Sequence, residues 1–205
     1  MGATGRVFSF EPDSTNLELL RRNALASGHA DRIEIHGVAL ADHETESALF
    51  LSPTNLGDHR LFSDGTIRNT IAVTVRTLDG VFADSPHWPT LVKSDTQGSE
   101  ARIVRGASKL LAGGWRPILI LEFWPFGLSN SGDDPLALFG ILASFGYDIY
   151  ELTEENPRLI GLSEDRLRVR LTSDLSPQSM AYINLLCLPR GSQRFALIAD
   201  LVYKA

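Results

Sequence analysis

Three acidic residues each follow an apolar segment of the chain. They are Glu11 after residues 7–10, Asp95 at the end of residues 90–95, and Glu122 after residues 118–121. If these segments are parallel strands of one sheet, their carboxyl ends lie along one edge, where open α/β sheets bind ligands. The sequence therefore predicts a ligand site that contains all three carboxylates.

The residue types indicate what such a site could do. A carboxylate only accepts hydrogen bonds, at several lone pairs, so Glu11 after an early strand could accept both hydroxyls of a ribose. Asp95 is one candidate general base, and His59 in the polar loop of residues 55–60 is the other. The remaining histidines show no metal-ligand spacing, so we predict no structural metal, while a substrate-bridging Mg²⁺ ion stays open.

Each of these residues also has a structural interpretation. Glu11 and Asp95 could each cap the helix that follows it. Glu122 could pair with Arg105 or Arg116, and a loop histidine is more often an ordinary surface residue. The sequence does not decide these cases one by one, but three acids at successive strand ends favour a common site.

The elements that must hold these residues alternate between strands and helices. Apolar runs predict strands at residues 7–10, 33–38, 91–95, 118–122, 147–152 and 182–188, with shorter ones at 47–51 and 70–75. Helical periodicity predicts helices at residues 14–27, 98–111 and 135–145. The polar segment 154–179 shows no clear helix, so the last two strands are predicted as an antiparallel hairpin at one edge. The fold class is α/β, a three-layer sandwich around a mainly parallel sheet.

Composition narrows the classes of protein. The 205 residues predict a single domain over residues 1–205, and the net charge of -6 argues against a nucleic-acid partner, which would require a basic surface. No signal peptide is visible, and no apolar run approaches the roughly 18 residues that span a bilayer. The single cysteine, Cys187, lies in an apolar run and is predicted to be a buried thiol, which indicates a reducing, cytoplasmic location.

Four ordered blocks of the sequence carry a family resemblance. They are Val-Phe-Ser-Phe-Glu-Pro at 7–12, Gly-Val-Ala-Leu-Ala-Asp at 37–42, Val-Lys-Ser-Asp-Thr-Gln-Gly-Ser-Glu at 92–100, and Ile-Leu-Ile-Leu-Glu at 118–122. In this order they resemble the sequence blocks of FkbM-type S-adenosylmethionine-dependent methyltransferases. The resemblance implies a Rossmann-like methyltransferase sandwich and methyl transfer from S-adenosylmethionine to a hydroxyl oxygen of a sugar or natural product.

The same resemblance assigns roles to individual residues. The implied cofactor-binding residues are Glu11, Pro12, Val38, Ala39 and Leu40. Of these, Glu11 would hold the cofactor ribose, and the last three would form the adenine pocket. The residues implied near the acceptor are Asp95, Lys93 and Glu122, with Asp95 also near the methionine end of the cofactor. The implied partner is a small-molecule or glycan hydroxyl acceptor.

The sequence departs from the family pattern in two places. Gln97 stands where the family usually has Glu, which removes one charge from the motif around Asp95. The family opens with a strand and a glycine-rich turn of the Asp-x-Gly-x-Asn-x-Gly kind, whereas this sequence begins at about the family's second strand. We therefore expect a truncated start and a gap in the sheet, where unpaired backbone groups would favour a homo-oligomer.

Two other hypotheses stay open. Without the glycine-rich turn, the chain could be a non-catalytic methyltransferase-like domain that serves as an interaction module. It could also be another nucleotide-binding Rossmann-like enzyme, but it contains neither a Gly-x-Gly-x-x-Gly nor a Walker sequence. Methyl transfer is the hypothesis that the four ordered blocks favour.

Overall fold

The computed structural model describes residues 4–153, 158–193 and Val202. The strands are β1 (Val7–Phe10), β2 (Ile33–His36), β3 (Ala39–Leu40), β4 (Thr45–Leu51), β5 (Asn69–Arg76), β6 (Leu91–Ser94), β7 (Ile118–Phe123), β8 (Tyr147–Leu152), β9 (Leu159–Gly161) and β10 (Ile183–Pro189). The helices are α1 (Ser14–Ala26), α2 (Leu78–Val81), α3 (Glu100–Arg105), α4 (Ser108–Ala112), α5 (Pro125–Asn130), α6 (Pro135–Ser144) and α7 (Glu164–Leu171). Within these ranges, no helix has the length and apolar character needed to cross a membrane.

The strands form three sheets rather than one. β1 pairs in parallel with β2, while β5 pairs in parallel with β3 and antiparallel with β4. The largest sheet has the order β6-β7-β10-β8-β9, in which only β6 and β7 are parallel neighbours. The α/β class is therefore confirmed, but the prediction of a single, mainly parallel sheet is wrong. In the described part of the chain, β1 pairs only with β2, and β6 pairs only with β7.

The C-terminal part of the largest sheet corrects the predicted hairpin. β8 and β10 do pair antiparallel, but β10 lies between β7 and β8, and β9 and α7 separate them in sequence. Ser163 caps α7 by accepting a hydrogen bond from the Arg166 N–H, and only Leu167 of this helix is buried. Because the apolar stripe is so narrow, periodicity did not reveal the helix. Residues 154–157 of the predicted loop lie outside the described residues.

The predicted helix over residues 98–111 is split into α3 and α4. Gly106 lies between them, packed so closely against the Ala41 carbonyl that a side chain has no room. Asp79 then caps α4, because its carboxylate accepts hydrogen bonds from the Lys109 and Leu110 N–H groups, each at 2.9 Å. The break lets the chain pass close to β3, which belongs to a different sheet.

The largest sheet has one well-buried face. Leu121 and Phe123 of β7 are 1% and 0% exposed and pack with residues of α3, α4, α6 and α7. Cys187 of β10 belongs to this core, as predicted, and burial raises the pKa of its thiol. The alternate residues of β7, such as Ile120, are only partly buried, and Leu91 of β6 is 52% exposed. A three-layer sandwich would bury both faces, so this expectation is not confirmed.

A buried carboxylate shapes the turn between β6 and α3. Glu100 is 0% exposed, and its side chain accepts hydrogen bonds from the Thr96 N–H at 2.7 Å, the Thr96 hydroxyl at 2.8 Å and the Gly98 N–H at 3.0 Å. The turn holds Gln97 at φ 55° and Gly98 at φ 104°. Such a left-handed conformation is costly for Gln97, so the hydrogen bonds to Glu100 must offset the strain.

Helix α5 packs against this turn at Gly98. A Cβ atom added to Gly98 would lie 2.5 Å from the carbonyl carbon of Gly127. The Ser131 hydroxyl also donates a hydrogen bond to the Gly98 carbonyl at 2.9 Å. The close approach of two backbones, together with the positive φ, is why a glycine is required here.

Replacing Gly98 should therefore destabilise the protein through two effects. Gly98→Ala introduces both a strained φ and a backbone clash, whereas Gly114→Ala, at φ 98° with nothing within 4 Å, introduces the strain alone. We expect a loss of about 1 kcal/mol for Gly114→Ala and a further loss of about 1–3 kcal/mol for Gly98→Ala from overpacking. Urea unfolding of both variants measures this difference. Equal losses would show that the close approach to Gly127 contributes nothing.

Candidate functional site

A cavity of about 220 Å³ opens at the carboxyl ends of β1 and β6. Its lining residues are Phe10, Glu11, Pro12, Asn16, Ala39, Leu40, Leu49, Leu56, Gly57, His59, Leu61, Asp95, Thr96, Gln97 and Ser99. The cavity thus brings together most of the residues singled out in the sequence. All three sheets contribute to its walls, through β1, through β3 and through the residues that follow β6.

Strand β1 places Glu11 at the cavity. The Glu11 N–H donates to the His36 carbonyl at 3.0 Å, and its side-chain Oε1 accepts a hydrogen bond from the Asp13 N–H at 2.8 Å. Asp13, not Glu11, is the N-cap of α1, so the capping interpretation of Glu11 is wrong. Burial raises the pKa of the Glu11 carboxyl. Within the described residues Oε2 makes no hydrogen bond, so it is available to accept one from a ligand.

Apolar residues form the opposite part of the wall. Ala39 and Leu49 are 5% and 3% exposed, and the ring of Phe10 stacks on the ring of His36 at a centroid distance of 4.8 Å. Leu40 lines the cavity beside them, but Val38 does not. Val38 lies between β2 and β3, and the residues that face the cavity here are Ala39 and Leu40, the two residues of β3. Of the three residues predicted for the adenine pocket, Ala39 and Leu40 therefore line the cavity and Val38 does not.

Two carboxylates and an amide form a hydrogen-bonded group at the ends of β6 and β7. The Gln97 side chain donates from Nε2 to Asp95 Oδ1 and to Glu122 Oε2, at 3.2 Å each. Asp95 Oδ2 accepts a hydrogen bond from Lys93 Nζ at 3.0 Å. Asp95 does not cap α3, whose N-cap residue is Ser99. We name these residues, Asp95, Gln97 and Glu122, the acidic ridge.

The acidic ridge extends beyond the cavity. Asp95 and Gln97 line the cavity, whereas Glu122 and Lys93 do not. Glu122 pairs with neither arginine considered from the sequence. Arg105 binds Asp42 and Asp133, and Arg116 donates to backbone carbonyls. Among the described residues, the hydrogen-bond partner of the Glu122 side chain is therefore Gln97 and not an arginine.

The loop between β4 and β5 covers the cavity and carries His59. The Asn16 side chain of α1 donates to the Leu56 carbonyl at 3.0 Å, which joins the loop to α1. Phe50 and Arg60 exchange two backbone hydrogen bonds, at 2.8 and 3.1 Å. The His59 ring, next to Arg60, accepts a hydrogen bond at Nδ1 from the Ser52 N–H at 3.1 Å. These contacts hold His59 against the cavity instead of leaving it on an open surface.

A buried ion-pair network fixes the far side of this loop. Arg60 is 7% exposed and pairs with Asp58 and Asp64, and Arg68 pairs with the same Asp58 at 2.8 Å. The Arg60 guanidinium also lies 4.8 Å from the ring centre of Trp124, which follows β7. The network therefore ties the loop to the strand that ends at the acidic ridge.

Sequence reasoning missed several residues of the site. It assigned no role in the site to Gln97, whose donor function depends on the positive φ of the turn. It also missed Arg60. Two partners of this residue, Asp58 and Asp64, lie in the same irregular loop, and the third, Trp124, is distant in sequence. The composition of the loop, with Asp58, Arg60, Asp64 and Arg68 within eleven residues, was the one signal that could have indicated a local ion-pair network.

Glu122 should make the stability of the protein depend on pH. Burial first, and then the negative charges of Asp95 and Glu100, raise its pKa from 4.5 to about 7. As pH rises, Glu122 therefore loses its proton at a lower pH in the unfolded chain than in the folded protein. The stabilising effect of the neutral Glu122 is fully present below pH 4.5 and is lost between pH 4.5 and about 7.

Glu122→Gln keeps the side chain neutral and should reduce this loss. We expect its unfolding free energy to decline less than that of the wild type across the same pH range, measured by urea unfolding at several pH values. The exposed Glu18→Gln variant on α1 is the control and should follow the wild type. Parallel curves for wild type and Glu122→Gln would contradict the raised pKa.

The sequence and the structure of this chain are similar to those of known methyltransferases. Residues 1–149 match the model of the Methyltransferase FkbM domain. The crystal structure of Methyltransferase FkbM from Methylobacillus flagellatus KT is similar at 17% sequence identity and a TM-score of 0.47, over 88% of this chain and 36% of that chain. A search of curated proteins gave no match. Since the family match includes β1 to β7 and most of the cavity wall, the chain belongs to the FkbM methyltransferase domain family.

Proposed function

We propose that this protein transfers a methyl group from S-adenosylmethionine to a hydroxyl oxygen of a small-molecule or glycan acceptor. The observation that carries the proposal is the cavity, which holds Glu11, Ala39, Leu40 and Asp95 together although they come from three sheets. Family membership supports methyl transfer as the reaction. Calorimetric titration of the chain with S-adenosylhomocysteine tests it, and absence of binding would contradict it.

The lining residues fit the adenosine part of the cofactor. Adenosine needs an apolar wall for the base and an acceptor for the ribose hydroxyls. Ala39, Leu40 and Leu49 provide the wall, and Glu11 Oε2 provides the acceptor. Pro12 closes the cavity next to Glu11, where its ring adds apolar surface without a further hydrogen-bond donor. When bound, S-adenosylmethionine supplies the electrophilic methyl group.

Asp95 is the residue that we propose as general base. Its carboxylate lines the cavity, and its side chain is 45% exposed, so an acceptor hydroxyl can reach it. Lys93 and Gln97 each donate one hydrogen bond to it, and these two bonds orient the carboxylate while leaving lone pairs for a third. Asp95 can therefore accept the proton that the hydroxyl loses as its oxygen attacks the methyl group.

The acidic ridge fits a hydroxyl-rich acceptor. Its three side chains offer carboxylate and amide oxygens that accept hydrogen bonds from hydroxyl groups. Near pH 7, a Glu122 carboxyl with a pKa of about 7 can also donate a hydrogen bond. We therefore propose that Glu122 and Lys93 hold the acceptor beyond the cavity, where the ridge continues outside the cofactor region.

The alternative function is an interaction module without catalysis. The open edges of β1 and β6 in the described residues favour it, because unpaired strand edges can pair with another chain. Such pairing could also complete a Rossmann-like sheet in a homo-oligomer. The cofactor titration separates the two functions, since a pure interaction module has no need to bind S-adenosylhomocysteine.

Removing Glu11 should weaken cofactor binding. Glu11→Ala deletes the proposed charge-assisted hydrogen bonds to the ribose, and we expect a loss of about 1.5–3 kcal/mol, roughly ten- to 150-fold in affinity. Calorimetry with S-adenosylhomocysteine measures it. Glu18→Ala, an exposed acid on α1, should bind as the wild type does. If the two variants bind equally well, Glu11 does not belong to the cofactor site.

Replacing Asp95 should separate catalysis from structure. Asp95→Asn preserves size and one acceptor oxygen but removes the charge, so turnover should fall about 10²–10⁴-fold. Because Asp95 does not cap α3, both Asp95→Asn and Asp95→Ala should keep a melting temperature close to that of the wild type. Methyl transfer and melting temperature are measured on both variants. Near-normal turnover of Asp95→Asn would remove Asp95 from the role of base.

A further inference from the structure

The hydrogen bond between Ser52 and His59 determines which ring nitrogen of His59 carries a proton. A backbone N–H can only donate, so His59 Nδ1 must be the acceptor in the 3.1 Å contact with the Ser52 N–H. A neutral imidazole has one donor and one acceptor nitrogen. The proton of the neutral His59 ring therefore lies on Nε2, and the nitrogen left for other contacts is a donor.

This arrangement bears directly on the role of His59 as a base. A general base needs a free lone pair within reach of the substrate proton. The lone pair of Nδ1 is already occupied by Ser52, which is itself only 8% exposed. His59 is therefore suited to donate a hydrogen bond into the cavity, not to take a proton from it.

Glu11 supplies the complementary acceptor at the same cavity. Both residues line it, and a positive charge on the His59 ring would lower the pKa of the Glu11 carboxyl, although burial raises that pKa by more. Oε1 of Glu11 is engaged by the Asp13 N–H, and Oε2 remains available within the described residues. In this part of the cavity, His59 thus offers a donor and Glu11 an acceptor.

A hydroxyl group is the ligand chemistry that matches this pair, because it donates through its hydrogen and accepts at its oxygen. We propose that His59 is a ligand-binding residue that donates from Nε2 to the oxygen of a ribose hydroxyl, while Glu11 accepts the hydrogen of that hydroxyl. The identification of the hydroxyl as ribose rests on the proposed function. The donor role of His59 rests on the contact with Ser52 alone.

The surrounding loop is built to keep the ring in this orientation. The backbone pair of Phe50 and Arg60 lies just outside the Ser52–His59 contact, and the Arg60 side chain is buried against Asp58 and Asp64. The Asn16 side chain holds a second point of the loop, through its hydrogen bond to the Leu56 carbonyl. A donor held by so many contacts loses little entropy when it binds a ligand.

The first test uses the unmodified protein and needs no ligand. Two-dimensional ¹H–¹⁵N correlation spectra of the histidine rings, recorded at mildly alkaline pH where an ordinary imidazole is neutral, distinguish the two tautomers. We expect the His59 ring to carry its proton on Nε2, with the His59→Gln spectrum identifying its signals. A ring protonated on Nδ1 would overturn the inference, whatever the protein binds.

The second test measures binding of adenosine, 2′-deoxyadenosine and 3′-deoxyadenosine by calorimetry. The wild type should prefer adenosine over at least one deoxynucleoside, and His59→Phe should reduce that preference several-fold, up to about tenfold for one lost hydrogen bond. His59→Gln retains an N–H near the position of Nε2 and should restore part of it. His87→Phe, in an exposed loop, should behave as the wild type.

Each outcome decides a different statement. Unchanged discrimination in a folded His59→Phe variant, with the wild type binding adenosine, overturns the role of His59 and leaves the proposed function standing. If the wild type binds neither adenosine nor S-adenosylhomocysteine, the proposed function is contradicted. The assignment of the hydroxyl to ribose is then contradicted with it. The tautomer measured in the first test then decides whether His59 is a donor.

Discussion

The site depends on one buried carboxylate. Glu100 accepts three hydrogen bonds, two from Thr96 and one from the N–H of the buried Gly98. Without Glu100, the Gly98 N–H would be unsatisfied in the protein interior. The resulting turn places Gln97 in a left-handed conformation, from which its amide reaches both carboxylates of the acidic ridge. Glu100 also contributes negative charge that raises the pKa of Glu122. A structural residue thus sets both the geometry and the electrostatics of the acidic ridge.

The cavity shows how separate sheets can still form one site. Glu11 follows β1, Ala39 and Leu40 form β3, and Asp95 follows β6, yet no backbone ladder in the described residues joins these three strands. Side chains and loops make the connections instead. Asn16 ties α1 to the covering loop, and Arg60 ties that loop to Trp124. The relative positions of Glu11, β3 and Asp95 therefore depend on side-chain contacts as much as on the sheets.

Much of this could be predicted from local sequence. The apolar runs located most of the strands within about two residues, since buried strands need contiguous or alternating apolar side chains. Of the three acids expected to share one site, Glu11 and Asp95 line the cavity, whereas Glu122 lies outside it and is linked to Asp95 through Gln97. Sheet connectivity was not predictable in the same way, since β10 inserts between β7 and β8 through contacts distant in sequence. Gln97 was missed because a strained turn leaves no local pattern, and the contact of Arg60 with Trp124 was missed because the two residues are distant in sequence.

The position of Trp124 has an optical consequence. Its indole is 5% exposed and lies under the Arg60 guanidinium, while its N–H donates to the Met180 carbonyl at 3.2 Å. If the covering loop moves away, the indole loses a cation from its face and gains water. Its fluorescence emission should then change in wavelength and intensity, so the indole is an intrinsic reporter of the position of this loop that needs no attached dye.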